Sequence, residues 1–185
     1  MNLFAKAGAA VALAACLVSG VAQSAPMRSD GIHTQDWMKS DSFLDLKEDL
    51  AEAHDAGKDL VIIFEQPGCG ACERLHEANF IIPELVSTIT ENFDVLQINL
   101  YGNVTVTDFD GEELSEGDFA IKHRVNFTPT TMFIGEDGKE IFRLPGYFKP
   151  YYYQSGFEFV MDGAPQEGQV FPRWLKAKRA KSTTE

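Results

Sequence analysis

The run Asp59–Glu65, DLVIIFE, leads across the turn Gln66, Pro67 and Gly68 into Cys69-Gly70-Ala71-Cys72. A short, largely apolar run of β-branched residues without polar alternation is the pattern of a central strand covered on both faces. Such a strand needs helices above and below it, which points to an α/β layer structure. Residues 69–80 resume helical spacing, so the two sulfurs lie three residues apart on one face of a helix start and can reach disulfide geometry. Unpaired N–H groups and the helix dipole favour the thiolate of Cys69, which makes it the attacking sulfur. Cys72, one turn deeper, is then the resolving thiol. An inert structural disulfide is one other reading, and half of a metal site with His76 is a second. Structural zinc normally takes four ligands, and the sequence has no second cysteine pair. A c-type haem needs His directly after the second cysteine, where Glu73 stands. The reversible dithiol is therefore preferred, with no metal and no cofactor.

The rest of the chain sets the boundaries of this reading. With 185 residues, 44% hydrophobic and 24% charged, the sequence suits one packed domain. A formal charge of -12 repels phosphate backbones and anionic lipid, so no nucleic-acid partner is expected. Residues 1–24 carry Lys6, an apolar run and the small-residue stretch at Ala22 and Ser24, the layout of a secretory signal peptide. The expected location is periplasmic or secreted. Leu13-Ala14-Ala15-Cys16 resembles a lipoprotein box, but the apolar run continues past Cys16, which argues against lipidation there.

Residues 25–40 are polar and aperiodic and read as a flexible lead-in. Residues 41–176 form the domain, and 177–185 a basic tail. Within the domain, Asp41 or Ser42 is expected to cap a helix beginning near Phe43 and ending at Gly57. Pro83 opens another helix, to Thr90, Phe93–Leu100 reads as a strand, and Ser115 with Asp118 resembles a helix cap. Thr131–Ile134 and Glu140–Leu144 flank a turn as a β-hairpin. Residues 151–161 and 172–178 read as helices. Asp108, Asp110, Glu112 and Glu113 lack the spacing of a calcium loop and read as a solvated insertion.

The stretch DLVIIFEQPGCGAC, the downstream FTPT around Pro129 and the hairpin FIGEDGKEIFRLPGY together resemble the thioredoxin superfamily over roughly Phe43 to Trp174. Within it, EQPGCGAC, INLYGNVTVTDFDGEELS and LPGYFKP are most similar to the periplasmic SoxW-type thioredoxins of bacterial sulfur-oxidation systems. The spacing of Phe80 and Pro83 also resembles the C-terminal domain of the disulfide reductase DsbD. The resemblance implies a thioredoxin fold with a mixed central sheet flanked by helices. It also implies a cis Pro129 facing the dithiol, with Thr128, Gly70 and Ala71 as substrate-binding positions. The implied activity is reduction of disulfides in exported proteins, sulfur-oxidation or cytochrome c maturation components among them. Electrons would come from a membrane donor of the CcdA or DsbD type. An oxidase or isomerase of the same fold is an alternative, as is a binding module with a permanent disulfide.

The chain departs from the family where thioredoxins carry a buried Asp six residues before the first cysteine, since Ile63 stands there. Glu65, two residues on and on the same strand face, is the candidate proton acceptor for Cys72. Gly68 replaces the usual Trp, and Ala71 the usual Pro.

Overall fold

The computed structural model describes residues 25–182; residues 1–24, read as a signal peptide and containing Cys16, and residues 183–185 lie outside the described residues. A four-stranded sheet runs in the order β2-β1-β5-β6, from β1 (Asp59–Glu65), β2 (Phe93–Asn99), β5 (Thr130–Ile134) and β6 (Glu140–Pro145). β1 pairs parallel with β2 and antiparallel with β5, which continues antiparallel into β6. The sheet is therefore mixed, as the resemblance implied.

Its two faces carry separate apolar layers, and β1 contributes to both. Leu60, Ile62 and Phe64 point to α1 (Leu46–Asp55) and α4 (Glu116–Lys122), packing with Leu46, Leu50, Ala53 and Phe119. Val61 and Ile63 point to α3 (Pro83–Asn92) and α5 (Pro150–Met161), packing with Leu75, Leu85, Ile89 and Phe157. Central burial on both faces explains why the strand shows no polar alternation. Among the described residues, no helix is long and apolar enough to cross a membrane.

Local expectations change in four places. The first helix starts at Leu46, capped by the Asp45 carboxylate, which accepts from the backbone N–H of Lys47 and Glu48. Leu44 has φ +58° and Phe43 is 94% exposed, so the chain reverses before the helix and neither Asp41 nor Ser42 caps it. The acidic stretch after β2 contains a two-stranded ribbon, β3 (Thr105–Thr107) with β4 (Glu113–Ser115). The buried Glu116 carboxylate beyond it accepts from the N–H of Asn99 at 2.9 Å. Gly102 permits this approach, because a Cβ there would lie 1.8 Å from the Glu116 carboxylate. At the other end, α6 (Phe171–Ser182) extends into the segment read as a tail, with the Arg179 guanidinium over the Tyr151 and Tyr152 rings.

The fourth change is the largest. Residues 25–40, expected to be a flexible lead-in, form a strap across the body. Ile32 is fully buried and Met38 nearly so. Trp37 meets Phe80 edge-on at 5.2 Å, and the Lys39 N–H donates to the Val95 carbonyl at 2.9 Å. No periodic signal marks the strap because it contains no regular element; only isolated side chains turn inward.

If the strap belongs to the cooperative fold, Ile32→Ala should cost about 2–5 kcal/mol in urea unfolding. A change within about 0.5 kcal/mol would mean that the segment contributes nothing to global stability.

Candidate functional site

β1 delivers the chain to the edge of the core, and the turn ending at Gly68, with φ +71°, redirects it into α2 (Gly70–Arg74). That left-handed conformation suits glycine, and a tryptophan there would be strained. Cys69 occupies the helix N-cap with an extended backbone, and its Sγ accepts from the Cys72 N–H at 3.1 Å. Cys69 and Cys72 are joined as a disulfide with their Cα atoms 5.2 Å apart.

The two sulfurs are not equivalent. Cys69 retains 9% exposure, whereas Cys72 has none. Gly70 is exposed and a Cβ there would meet nothing within 4 Å, so the space above the pair is open. Ala71 is half-buried beside it. An incoming sulfur therefore reaches Cys69 first.

Thr128 and Pro129 face the pair from the loop before β5. The Thr128–Pro129 peptide is cis, Pro129 is buried, and the Thr128 hydroxyl donates to Cys69 Sγ at 3.3 Å. Sequence reasoning assigns a role to Thr128 only as a binding position and misses its hydroxyl. That hydroxyl and the Cys72 N–H are two donors directed at one sulfur, and both would favour the thiolate once the disulfide is reduced.

Glu65 lies fully buried at the end of β1, while Ile63 is enclosed in the apolar layer. The Glu65 Oε1 atom accepts from the ring Nε2 of His76 at 2.9 Å and from Gln97 Nε2 at 3.4 Å. Its Oε2 atom has no hydrogen-bond partner among the described residues. His76 belongs to a π-helical turn, Leu75–Asn79, that continues α2, and is itself fully buried. Sequence reasoning considers His76 only as a metal ligand. Both ring nitrogens are instead engaged, Nδ1 with the Gln35 amide at 3.1 Å. The acidic insertion likewise meets a cation of the chain's own, since Asp108, Asp110 and Glu112 converge on Lys122 Nζ within 2.9 Å.

Fold and site together can be set against known proteins. A family model described as a thioredoxin-like domain matches residues 46–160. The chain belongs to the thioredoxin-like family. Among solved structures, a thioredoxin-fold protein from Helicobacter pylori is similar at 25% identity and a TM-score of 0.57, covering 75% of this chain and 99% of that one. A thioredoxin from Thermus thermophilus matches at 21% identity and a TM-score of 0.50, covering 63% and 84%. No curated protein matches. A thioredoxin-like fold carrying a CxxC disulfide is, at the general level, that of a thiol–disulfide oxidoreductase.

After reduction, iodoacetamide at mildly acidic pH should label Cys69 in preference to Cys72. Thr128→Val should slow that labelling about three- to tenfold by removing one donor from the thiolate. Preferential labelling of Cys72, or an unchanged rate in the variant, would contradict the assignment.

Proposed function

We propose that this thioredoxin-like protein is an exported reductase of disulfides in other exported proteins. The observation that carries the reading is the inequivalence of the two sulfurs: Cys69 at the surface under open space, Cys72 wholly enclosed one turn behind it. In the reaction, the Cys69 thiolate attacks one sulfur of the client disulfide. The client's S–S bond breaks, its second sulfur leaves as a thiolate, and a mixed disulfide forms. Cys72 then loses its proton and attacks Cys69 Sγ, releasing the client's first sulfur as a second thiolate. The client gains two electrons and the chain ends with the Cys69–Cys72 disulfide.

Two further features support client binding at this place. No backbone hydrogen bond among the described residues engages the N–H or C=O of Thr128, which leaves both for an extended client segment. Phe127 beside it is 66% exposed and offers apolar contact. Export is supported by the leader-like layout of residues 1–24. An oxidising compartment holds no soluble reductant pool, so the disulfide must be reduced again by a dithiol donor in the membrane, for which a CcdA- or DsbD-like protein is the proposed class. The similarity of EQPGCGAC and LPGYFKP to SoxW-type thioredoxins makes sulfur-oxidation carriers the first clients to test, and cytochrome c maturation factors the second.

With dithiothreitol as donor, the parent should accelerate insulin reduction, Cys69→Ser should abolish the effect, and Cys72→Ser should accumulate mixed disulfides with clients. A parent that leaves the insulin rate unchanged would instead indicate a binding module with a permanent disulfide.

A further inference from the structure

The hydrogen bond between Glu65 and His76 closes a loop that holds both cysteines. Its strand-side partner precedes Cys69 by four residues, and its helix-side partner follows Cys72 by four. Both side chains are fully buried, so each depends on the other for satisfaction. Oε1 is held by two donors and Oε2 by none. The carboxylate is thus oriented by one oxygen and left available at the other.

The orientation reaches back into the strap. The Gln35 amide nitrogen is a donor only, so His76 Nδ1 accepts from it and Nε2 carries the proton given to Glu65. The strap also contributes His33, whose ring centroid is 5.6 Å from that of His76 and whose Nδ1 has no hydrogen-bond partner among the described residues. From β2 comes Gln97, whose amide also donates to the His33 carbonyl and whose backbone carbonyl accepts from Arg28, the partner of Asp30. From α5 comes Tyr153, its hydroxyl bonded to Thr131; burial pushes that phenol up, and the charge of Glu65 adds to the effect. Tyr153 is thus a neutral neighbour, and the Arg28–Asp30 ion pair stands one residue further out.

We propose that His76 is a positioning residue for the resolving step, holding Glu65 so that Oε2 takes the Cys72 proton, and that Gln35 of the strap sets the His76 tautomer that allows it. The proposal rests on the reductase reading and adds a specific residue to it. In the step, the Cys72 S–H bond breaks and its proton passes to Oε2. The Cys72 thiolate attacks Cys69 Sγ, the bond from Cys69 to the client sulfur breaks, and that sulfur departs with the electron pair. The proton then leaves Glu65 for the departing thiolate or water, and the pair is reset. The Gln35 amide occupies the Nδ1 lone pair, which leaves Nε2 as the ring N–H directed at Glu65.

The test follows attack and resolution separately by stopped flow, across pH, with a small disulfide-bonded peptide as client. His76→Phe fills the space without an N–H and should slow resolution about tenfold with attack unchanged. His76→Gln places an amide N–H near the lost Nε2 and should recover most of the rate. Gln35→Leu, the mildest change, removes the donor that holds Nδ1 and should slow resolution about threefold with attack unchanged. The proposal is overturned if Phe and Gln at 76 behave alike, if both steps slow together, or if Gln35→Leu resolves as fast as the parent. A parent that never forms the mixed disulfide overturns the reductase reading and this proposal with it; a parent that resolves no faster than any variant overturns this proposal alone.

Discussion

A carboxylate buried at the end of the central strand has to find a donor, and much of this structure follows from how Glu65 finds one. Removing an isolated ionised carboxylate from water costs several kcal/mol or more, so such a group persists only with partners. Its nearest donor, His76, lies on the helical turn beyond the dithiol. The bond between them spans the turn that carries Cys69 and Cys72 and ties β1 to the helical segment after the pair. The second nitrogen of His76 then requires a partner as well, and the strap provides it through Gln35. A polar chain of three residues thereby links the N-terminal segment, the core strand and the redox helix.

The two sulfurs of the pair sit in different surroundings. Cys69 caps the helix at the surface, with Thr128 and the Cys72 N–H directed at its sulfur. Cys72 is sealed, with the buried, hydrogen-bonded Glu65 and His76 on the flanking elements. Attack calls for access and a stabilised thiolate, whereas resolution calls for a local proton acceptor. Under the proposed reading, attack falls to the accessible sulfur and resolution to the enclosed one.

What could be read from the sequence was local. The buried character of β1, the hairpin at residues 130–145 and the Ser115 cap each reside in a few adjacent residues, and all three are present. The cysteine pair was legible for the same reason, because strand, turn and helix start are contiguous. The start of α1 misled, since Phe43 and Leu44 are apolar at helical spacing while the Leu44 backbone turns left-handed. The strap was invisible because Met38 is buried by packing with residues of distant strands and helices, and neither it nor the buried Ile32 belongs to any period of the segment itself. Glu65 was singled out by its strand face and is buried there, but His76 as its hydrogen-bond partner was not foreseen, since nothing local distinguishes a histidine four residues past a CxxC as a carboxylate donor.

A reductase of this design requires the Cys69–Cys72 disulfide to be an exchange centre and not a structural staple. Its reduction potential, measured by equilibration against dithiothreitol or glutathione buffers of known ratio, tests this most directly. A working dithiol should titrate above about -300 mV, within the range of thioredoxin-type reductants and oxidants. A pair that stays oxidised until the buffer is well below about -300 mV would be a structural disulfide, and Cys69 would have no part in exchange.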